Sequence, residues 1–117
     1  MDDDPEIREL ILDMLEAMEH EVILTKEGDE CYKVYEKNFR KNNKFDFILM
    51  DLTVKGGMGG LETSEKIREI DPKAKIVICS GYSDKSIADY SGFSFSAKLN
   101  KPFSIADLNK VISQIMA

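Results

Sequence analysis

From Pro5 onward the apolar residues fall at Ile7, Leu10, Ile11, Met14, Leu15 and Met18, the three-four spacing of a helix with one buried face. Asp4 ahead of Pro5 supplies an N-cap and a favoured first-turn proline. Residues 22–25 (Val, Ile, Leu, Thr) form a short β-rich run that ends at Lys26, Glu27 and Gly28, which predicts a strand. A second helix follows, with Cys31, Val34, Tyr35 and Phe39 on one face and a basic, solvated end over 37–44. Residues 45–50 are almost continuously apolar and run into Asp51, the mark of a strand buried on both faces. After a loop with four glycines between positions 56 and 60, Leu61, Ile67 and Ile70 stripe a third helix, stopped by Asp71 and Pro72. Ile76, Val77, Ile78 and Cys79 predict another buried strand. Ile87, Ala88 and Tyr90 suggest a short helix, and 95–99 a weaker strand. Ile105, Leu108, Val111, Ile112 and Ile115 line a last helix, with Ser104 at its N-cap.

Strict alternation of helix and strand implies an α/β fold, a parallel sheet covered on both faces. The chain has 117 residues, 16 Lys plus Arg against 22 Asp plus Glu, a net charge of -6 and 43% hydrophobic residues. Those figures fit one domain over 1–117 with a real core and exclude an acidic disordered tail. A sequence pI near 4.8 gives no basic field for phosphate backbones, so direct nucleic-acid binding is not expected. No apolar run reaches the ~20 residues of a membrane span, and MDDDPE has neither the basic nor the apolar region of a secretory signal. A cytoplasmic protein is the expectation. Cys31 and Cys79 have no metal-ligand spacing and read as buried thiols. His20, between a helix end and a strand, reads as a C-terminal cap residue.

In open parallel sheets ligands bind beyond the carboxyl ends of the strands. Asp51 closes the second predicted strand, Ser80 the third, Lys101 follows the fourth, and Asp2 and Asp3 open the first helix. Carboxylates crowded at one edge repel one another and raise their own pKa values unless a cation neutralises them. A hard divalent ion such as Mg2+ does so with one or two carboxylates, water and phosphate oxygens. Asp51 could then attack a phosphoryl group as a carboxylate nucleophile, with Lys101 and the Ser80 hydroxyl facing the phosphoryl oxygens. The plainer roles are helix capping for Asp2 and Asp3, strand termination for Asp51, turn chemistry for Ser80 and a solvated surface lysine for Lys101.

DDDP before an amphipathic helix, FILMD and CSG at strand ends, and LNKPFS before the last helix together resemble the response-regulator receiver domain of two-component signalling. The resemblance covers nearly the whole chain and implies a flavodoxin-like fold of five parallel strands and five helices. It makes Asp51 the phosphoacceptor, Ser80 the switch hydroxyl and Lys101 the phosphate-binding lysine. It makes Asp3 and Asp51 direct Mg2+ ligands, Asp2 a ligand through water, and the Thr53 backbone carbonyl a further contact. Thr53 and Tyr82 take the positions that tune autodephosphorylation. The partner implied is a histidine kinase or its phosphotransfer domain, with a possible downstream protein. The module would promote only its own phosphorylation and dephosphorylation, and is not otherwise an enzyme. SGYSD and KPFS resemble receivers at hybrid-kinase C-termini, and no output domain is expected after the last helix.

Three departures stand out. Receivers begin with a hydrophobic central strand before the acidic pair, and here Met1 would be its last residue. Four buried aliphatic side chains at ~1.5 to 3 kcal/mol each approach a domain's whole stability of ~5 to 15 kcal/mol, so either that strand lies ahead of Met1 in the physical protein, which is the expectation, or another chain fills its place by swapping. Lys98 stands three before Lys101, where an aromatic residue usually partners the switch. The glycine loop is about one residue longer than usual, with Lys55 at a frequent proline position, which gives it wide backbone freedom. Two alternatives remain open on sequence: a pseudo-receiver that binds partners but is never phosphorylated, and a haloacid-dehalogenase-like phosphatase. The latter needs a second Asp two residues after the nucleophile, where this chain has Thr53. A flavodoxin-type FMN carrier would need a hydroxyl-rich phosphate loop where this chain has DDDPE.

Overall fold

A computed structural model describes residues 1–81 and 95–116. In chain order these contain α1 (Pro5–Ala17), α2 (Gly28–Arg40), β1 (Ile48–Asp51), α3 (Gly60–Ile70), β2 (Ile76–Ser80), β3 (Ala97–Asn100) and α4 (Ile105–Met116). The three strands form one parallel sheet in the order β1-β2-β3. Successive side chains point to opposite faces, and the two faces close against different helices. Leu49, Val77, Cys79 and Leu99 pack with Ile11 and Leu15 of α1 and Leu108 and Ile112 of α4. Met50, Ile76 and Ile78 pack with Cys31 and Tyr35 of α2 and Ile67 of α3. The expected α/β architecture, with helices on both sides of a parallel sheet, is therefore present. Both cysteines are buried and free.

The helix ends follow local chemistry. The Asp4 carboxylate accepts from the Glu6 amide at 2.9 Å, and Pro5 opens α1 where its lost N–H matters least. At the other end Glu19 turns left-handed (φ 65), so the His20 amide reaches the Leu15 carbonyl at 3.0 Å in a Schellman-type stop. His20 is thus a cap residue as expected, and its ring meets Phe47 edge-on. Ser104 and Asp107 form a reciprocal capping box at α4, with bonds of 3.1 and 2.9 Å.

Two expected strands need correction. Residues 22–25 are not a strand, although their composition suits one. A strand exists only with a ladder partner, and among the described residues it is Met1 and Asp2 that stand beside this segment. The Asp2 amide donates to the Thr25 carbonyl at 3.1 Å, while across the lane the Asp51 amide donates to the Met1 carbonyl at 2.8 Å and the Met1 nitrogen to the Leu49 carbonyl at 2.6 Å. Met1 therefore sits in register as a strand residue beside β1. Ile23 is 55% exposed. The second correction is that β1 begins at Ile48 rather than at 45. Its ladder starts where β2 starts, at the Ile48–Ile76 pair, and Phe45 instead stacks on Tyr35. The expected helix over 87–90 lies outside the described residues.

Candidate functional site

Parallel register brings the strand ends to one edge. Asp51, the last residue of β1, pairs with Cys79, so Ser80 stands one step further along β2. Ser80 pairs with Asn100 of β3, and the next amide, that of Lys101, donates to the Ser80 carbonyl at 2.7 Å. Lys101 is thereby fixed beside the end of β2. The start of the chain arrives at the same edge: the Asp2 carboxylate accepts from the Asp4 amide at 3.0 Å, and Arg8 donates to the Asp2 carbonyl at 2.9 Å. Asp3 accepts from the Lys55 amide at 3.2 Å, tying the β1–α3 loop to the first turn.

The result is a compact charged pocket. One carboxylate oxygen from each of Asp2, Asp3 and Asp51 lies within 4.8 Å of the others. The Lys101 ammonium bridges two of them, at 2.8 Å from Asp2 and 3.0 Å from Asp51. Both acids are nearly closed to solvent, with side-chain exposures of 4% and 6%, so the pairs are poorly screened. Burial pushes the Asp51 carboxyl up to about 6; the Lys101 bond and charge pull against this, and the charge of Asp2 adds to it. Burial also raises Asp3, but the Lys55 amide, the bond shared with Asp51 and the charge of Lys101 outweigh it, leaving Asp3 below its ordinary value. Lys101 loses from burial and gains more from its bonds to Asp2 and Asp51, so its ammonium is held above the usual lysine value.

Three hard carboxylate oxygens at that spacing fit a small divalent cation such as Mg2+. Burial first, and the charge of Asp2 after it, keep Asp51 raised, and a cation at this donor set would oppose the second of these. Of the residues singled out from the sequence, Asp2, Asp3, Asp51 and Lys101 are brought into direct contact, and Ser80 is joined to Lys101 through the backbone. Thr53 is exposed at the start of the loop after β1, and Lys98 is exposed on β3. Tyr82 lies outside the described residues.

The loop itself is less free than its glycines imply. Gly56 does take a left-handed conformation (φ +69), but a Cβ on Gly60 would lie 2.7 Å from the Asp51 carbonyl oxygen. That glycine serves a close backbone approach rather than mobility. Sequence reading missed Glu27, whose carboxylate caps α2 by accepting from the Asp29 and Glu30 amides at 2.9 and 2.8 Å. An acid just before Gly-Asp-Glu at a helix start was the available signal.

A parallel sheet with helices on both faces and an acidic, lysine-bridged pocket at its carboxyl edge define the class of this domain. The chain belongs to the response regulator receiver domain family, whose pattern matches residues 1–113. It is 28% identical over 116 residues to the response regulator receiver protein CpdR of Brucella abortus, covering 98% of this chain and 92% of that protein. It is 32% identical over 72 residues to the transcriptional regulatory protein ComA of Bacillus subtilis, which is 62% of this chain and 32% of ComA. It is 28% identical over 111 residues to the autoinducer 1 sensor kinase/phosphatase LuxN of Vibrio harveyi, 94% of this chain but 12% of LuxN. The chain thus spans a third or less of ComA and LuxN. Among solved structures, a receiver domain protein from Clostridium thermocellum superposes with a TM-score of 0.85 at 23% identity, over 98% of this chain and 89% of that one. The response regulator TrrA of Thermotoga maritima, solved with Mg2+ and BeF, superposes with a TM-score of 0.79 at 28% identity, over 97% and 93% of the two chains. Among the described residues no helix is long and apolar enough to cross a membrane.

Proposed function

We propose that this domain accepts a phosphoryl group on Asp51 from the phosphohistidine of a histidine kinase or its phosphotransfer domain. The observation that carries the reading is the pocket: three carboxylates within 4.8 Å, two of them bridged by Lys101. In the transfer an Asp51 carboxylate oxygen forms a bond to phosphorus as the phosphorus–nitrogen bond of the donor breaks, and the imidazole leaves with the bonding pair. Asp51 must be ionised to attack, which it is above about 6. Asp3, Asp51 and the Thr53 carbonyl would hold Mg2+ directly and Asp2 through water. Bound there, the ion supplies positive charge to the phosphoryl oxygens. Lys101 turns from Asp51 toward the new anion, and the Ser80 hydroxyl donates to it. An aspartyl phosphate of about -1.5 to -2 charge shifts the equilibrium of the segments after β2 and β3 toward the state that pairs with it, and so changes what a downstream protein meets. LuxN, a sensor kinase/phosphatase, and TrrA with its Mg2+ and BeF support the reading by similarity.

The test is intact mass after incubation with acetyl phosphate and Mg2+. The expected result is a gain of one phosphoryl group, abolished in Asp51→Asn and in the presence of EDTA. A gain that persists in Asp51→Asn removes Asp51 from the role. No gain under any donor, with the fold intact, would instead identify a pseudo-receiver.

A further inference from the structure

The loop between β1 and α3 is gripped from the side by the start of α2. The Gly28 amide donates to the Met58 carbonyl at 2.7 Å. A Cβ on Gly28 would lie 1.8 Å from Thr63 Oγ1, 2.7 Å from the Met58 carbonyl oxygen and 2.8 Å from Met58 Cγ, an approach that no side chain permits. Glu27 acts on the same loop. A Cβ on Gly57 would meet the Glu27 Cβ at 3.0 Å, so the backbone of the loop rests on the Glu27 side chain. The Asp29 and Glu30 amides hold the Glu27 carboxyl below its ordinary value, and the Met58 amide adds a weaker pull in the same direction.

The other end of the loop meets the acidic pocket. The Lys55 amide binds Asp3 at 3.2 Å, and the Gly60 amide returns to the Leu52 carbonyl at 3.2 Å. Thr63 closes the base, donating its hydroxyl to the Gly59 carbonyl at 2.7 Å. A run with glycines at 56, 57, 59 and 60 has little side-chain packing of its own, so its shape is set by these ties. A metal or phosphoryl site needs its ligands held in advance.

We propose that Glu27 and Gly28 are positioning residues for the Asp51 site: Glu27 backs the chain at Gly57 and Gly28 holds the Met58 carbonyl, and together they fix the loop that presents the Thr53 carbonyl and the Lys55 amide to the pocket. This rests on the reading of Asp51 as an Mg2+-dependent phosphoacceptor. Neither residue touches the phosphoryl group. They act through the loop, so their loss weakens cation binding without altering the carboxylates themselves.

The experiment titrates the 15N-labelled full chain with MgCl2 and follows the backbone amides of residues 53–60, then measures the acetyl phosphate reaction at saturating Mg2+. In Glu27→Ala the Mg2+ affinity falls about tenfold, the typical loss when a residue behind a metal ligand is removed, and the loop amides broaden or shift while those of α4 do not. Glu27→Gln, which keeps one capping oxygen, recovers part of the affinity. Ser104→Ala, which removes a cap remote from this loop, leaves the Mg2+ affinity unchanged. Gly28→Ala should act like Glu27→Ala, and if it does not fold the Glu27 pair decides. Wild-type Mg2+ affinity and unmoved loop amides in Glu27→Ala overturn the proposal while leaving the phosphoacceptor reading standing. If wild-type chain takes Mg2+ but no phosphoryl group, that reading falls and the titration still decides this one. If it takes no Mg2+, both fall.

Discussion

Replacing Asp51 by Asn makes the metal-free protein more stable at neutral pH, and the pocket says by how much. A carboxyl whose ordinary value is 3.8 stands at about 6 in the native fold. The native state thus holds its proton more tightly than the unfolded chain does. Below 3.8 both states are protonated and Asp51 carries no penalty. As pH rises toward 6 the unfolded chain releases the proton first, so native stability falls, and above 6 the full penalty is present. At 1.36 kcal/mol for each tenfold change in proton affinity, it amounts to about 3 kcal/mol. The opposing pull of Lys101 is already contained in that value, and with 6% of the side chain exposed solvent screening removes little of it. Asn keeps an oxygen that can accept from Lys101 and has no charge to desolvate. The variant should therefore gain up to about 3 kcal/mol over wild type at pH 7, near 10 °C in Tm for a domain of this size. Thermal unfolding in EDTA from pH 3.5 to 7.5 reads this out: the two proteins should converge at the acid end and separate between about pH 4 and 6. Saturating Mg2+ should raise the wild type and close the gap, because binding to the native state alone adds stability. A gap independent of pH, or an Asn variant less stable than wild type at pH 7 without metal, would refute the reasoning.

Tyr35→Phe tests a buried contact far from the pocket. The phenol donates to Asp71 at 2.5 Å, and the partners are 3% and 7% exposed. Phe keeps the stacking on Phe39 and Phe45 but strips the carboxylate of a donor, so urea unfolding should show a loss of ~1.5 to 3 kcal/mol. Ser104→Ala opens the capping box of α4 and should lower stability by ~1 kcal/mol while the rate of phosphorylation by acetyl phosphate stays at the wild-type value.

The sequence pattern made the sheet legible where burial alone decides structure. β2 is buried at all five positions and reads as an apolar run with no ambiguity. α1 and α4 show their stripes because each covers one face of that sheet. The pattern misled where a strand depends on a partner rather than on its own composition. Residues 22–25 have the right side chains, but ladder bonds belong to pairs of segments, and among the described residues it is Met1 and Asp2 that stand alongside. The same dependence shortened β1 to the register that β2 offers. At the site, Asp2, Asp3, Asp51 and Lys101 could be singled out because parallel topology sends every strand's carboxyl end to one edge. The Glu27–Gly28 grip could not, since a glycine required by close approach looks in sequence like a glycine required by a turn.

Charge balance ties the resting pocket to its proposed use. Asp2, Asp3 and Asp51 against Lys101 leave two negative charges, the amount one divalent cation cancels. Without the cation, burial, with the charge of Asp2 added, holds the Asp51 carboxyl at about 6, so it is mostly ionised at neutral pH and protonated below that. A cation held by Asp3 and Asp51, as proposed, would favour the ionised carboxyl, so metal binding and ionisation of Asp51 would be linked: Mg2+ should bind more tightly as pH rises through 6, with proton release. Phosphorylation then exchanges a charge of one for about -1.5 to -2 and disturbs the balance again. Lys101 is the cation able to correct it, and it is bonded through its backbone to Ser80 at the end of β2. Under the proposed function a shift of Lys101 toward the new anion would bear on the ends of β2 and β3 together, and isothermal titration of Mg2+ at pH 5.5 and 7.5 tests the linkage of metal and proton: equal affinities at the two values would break it.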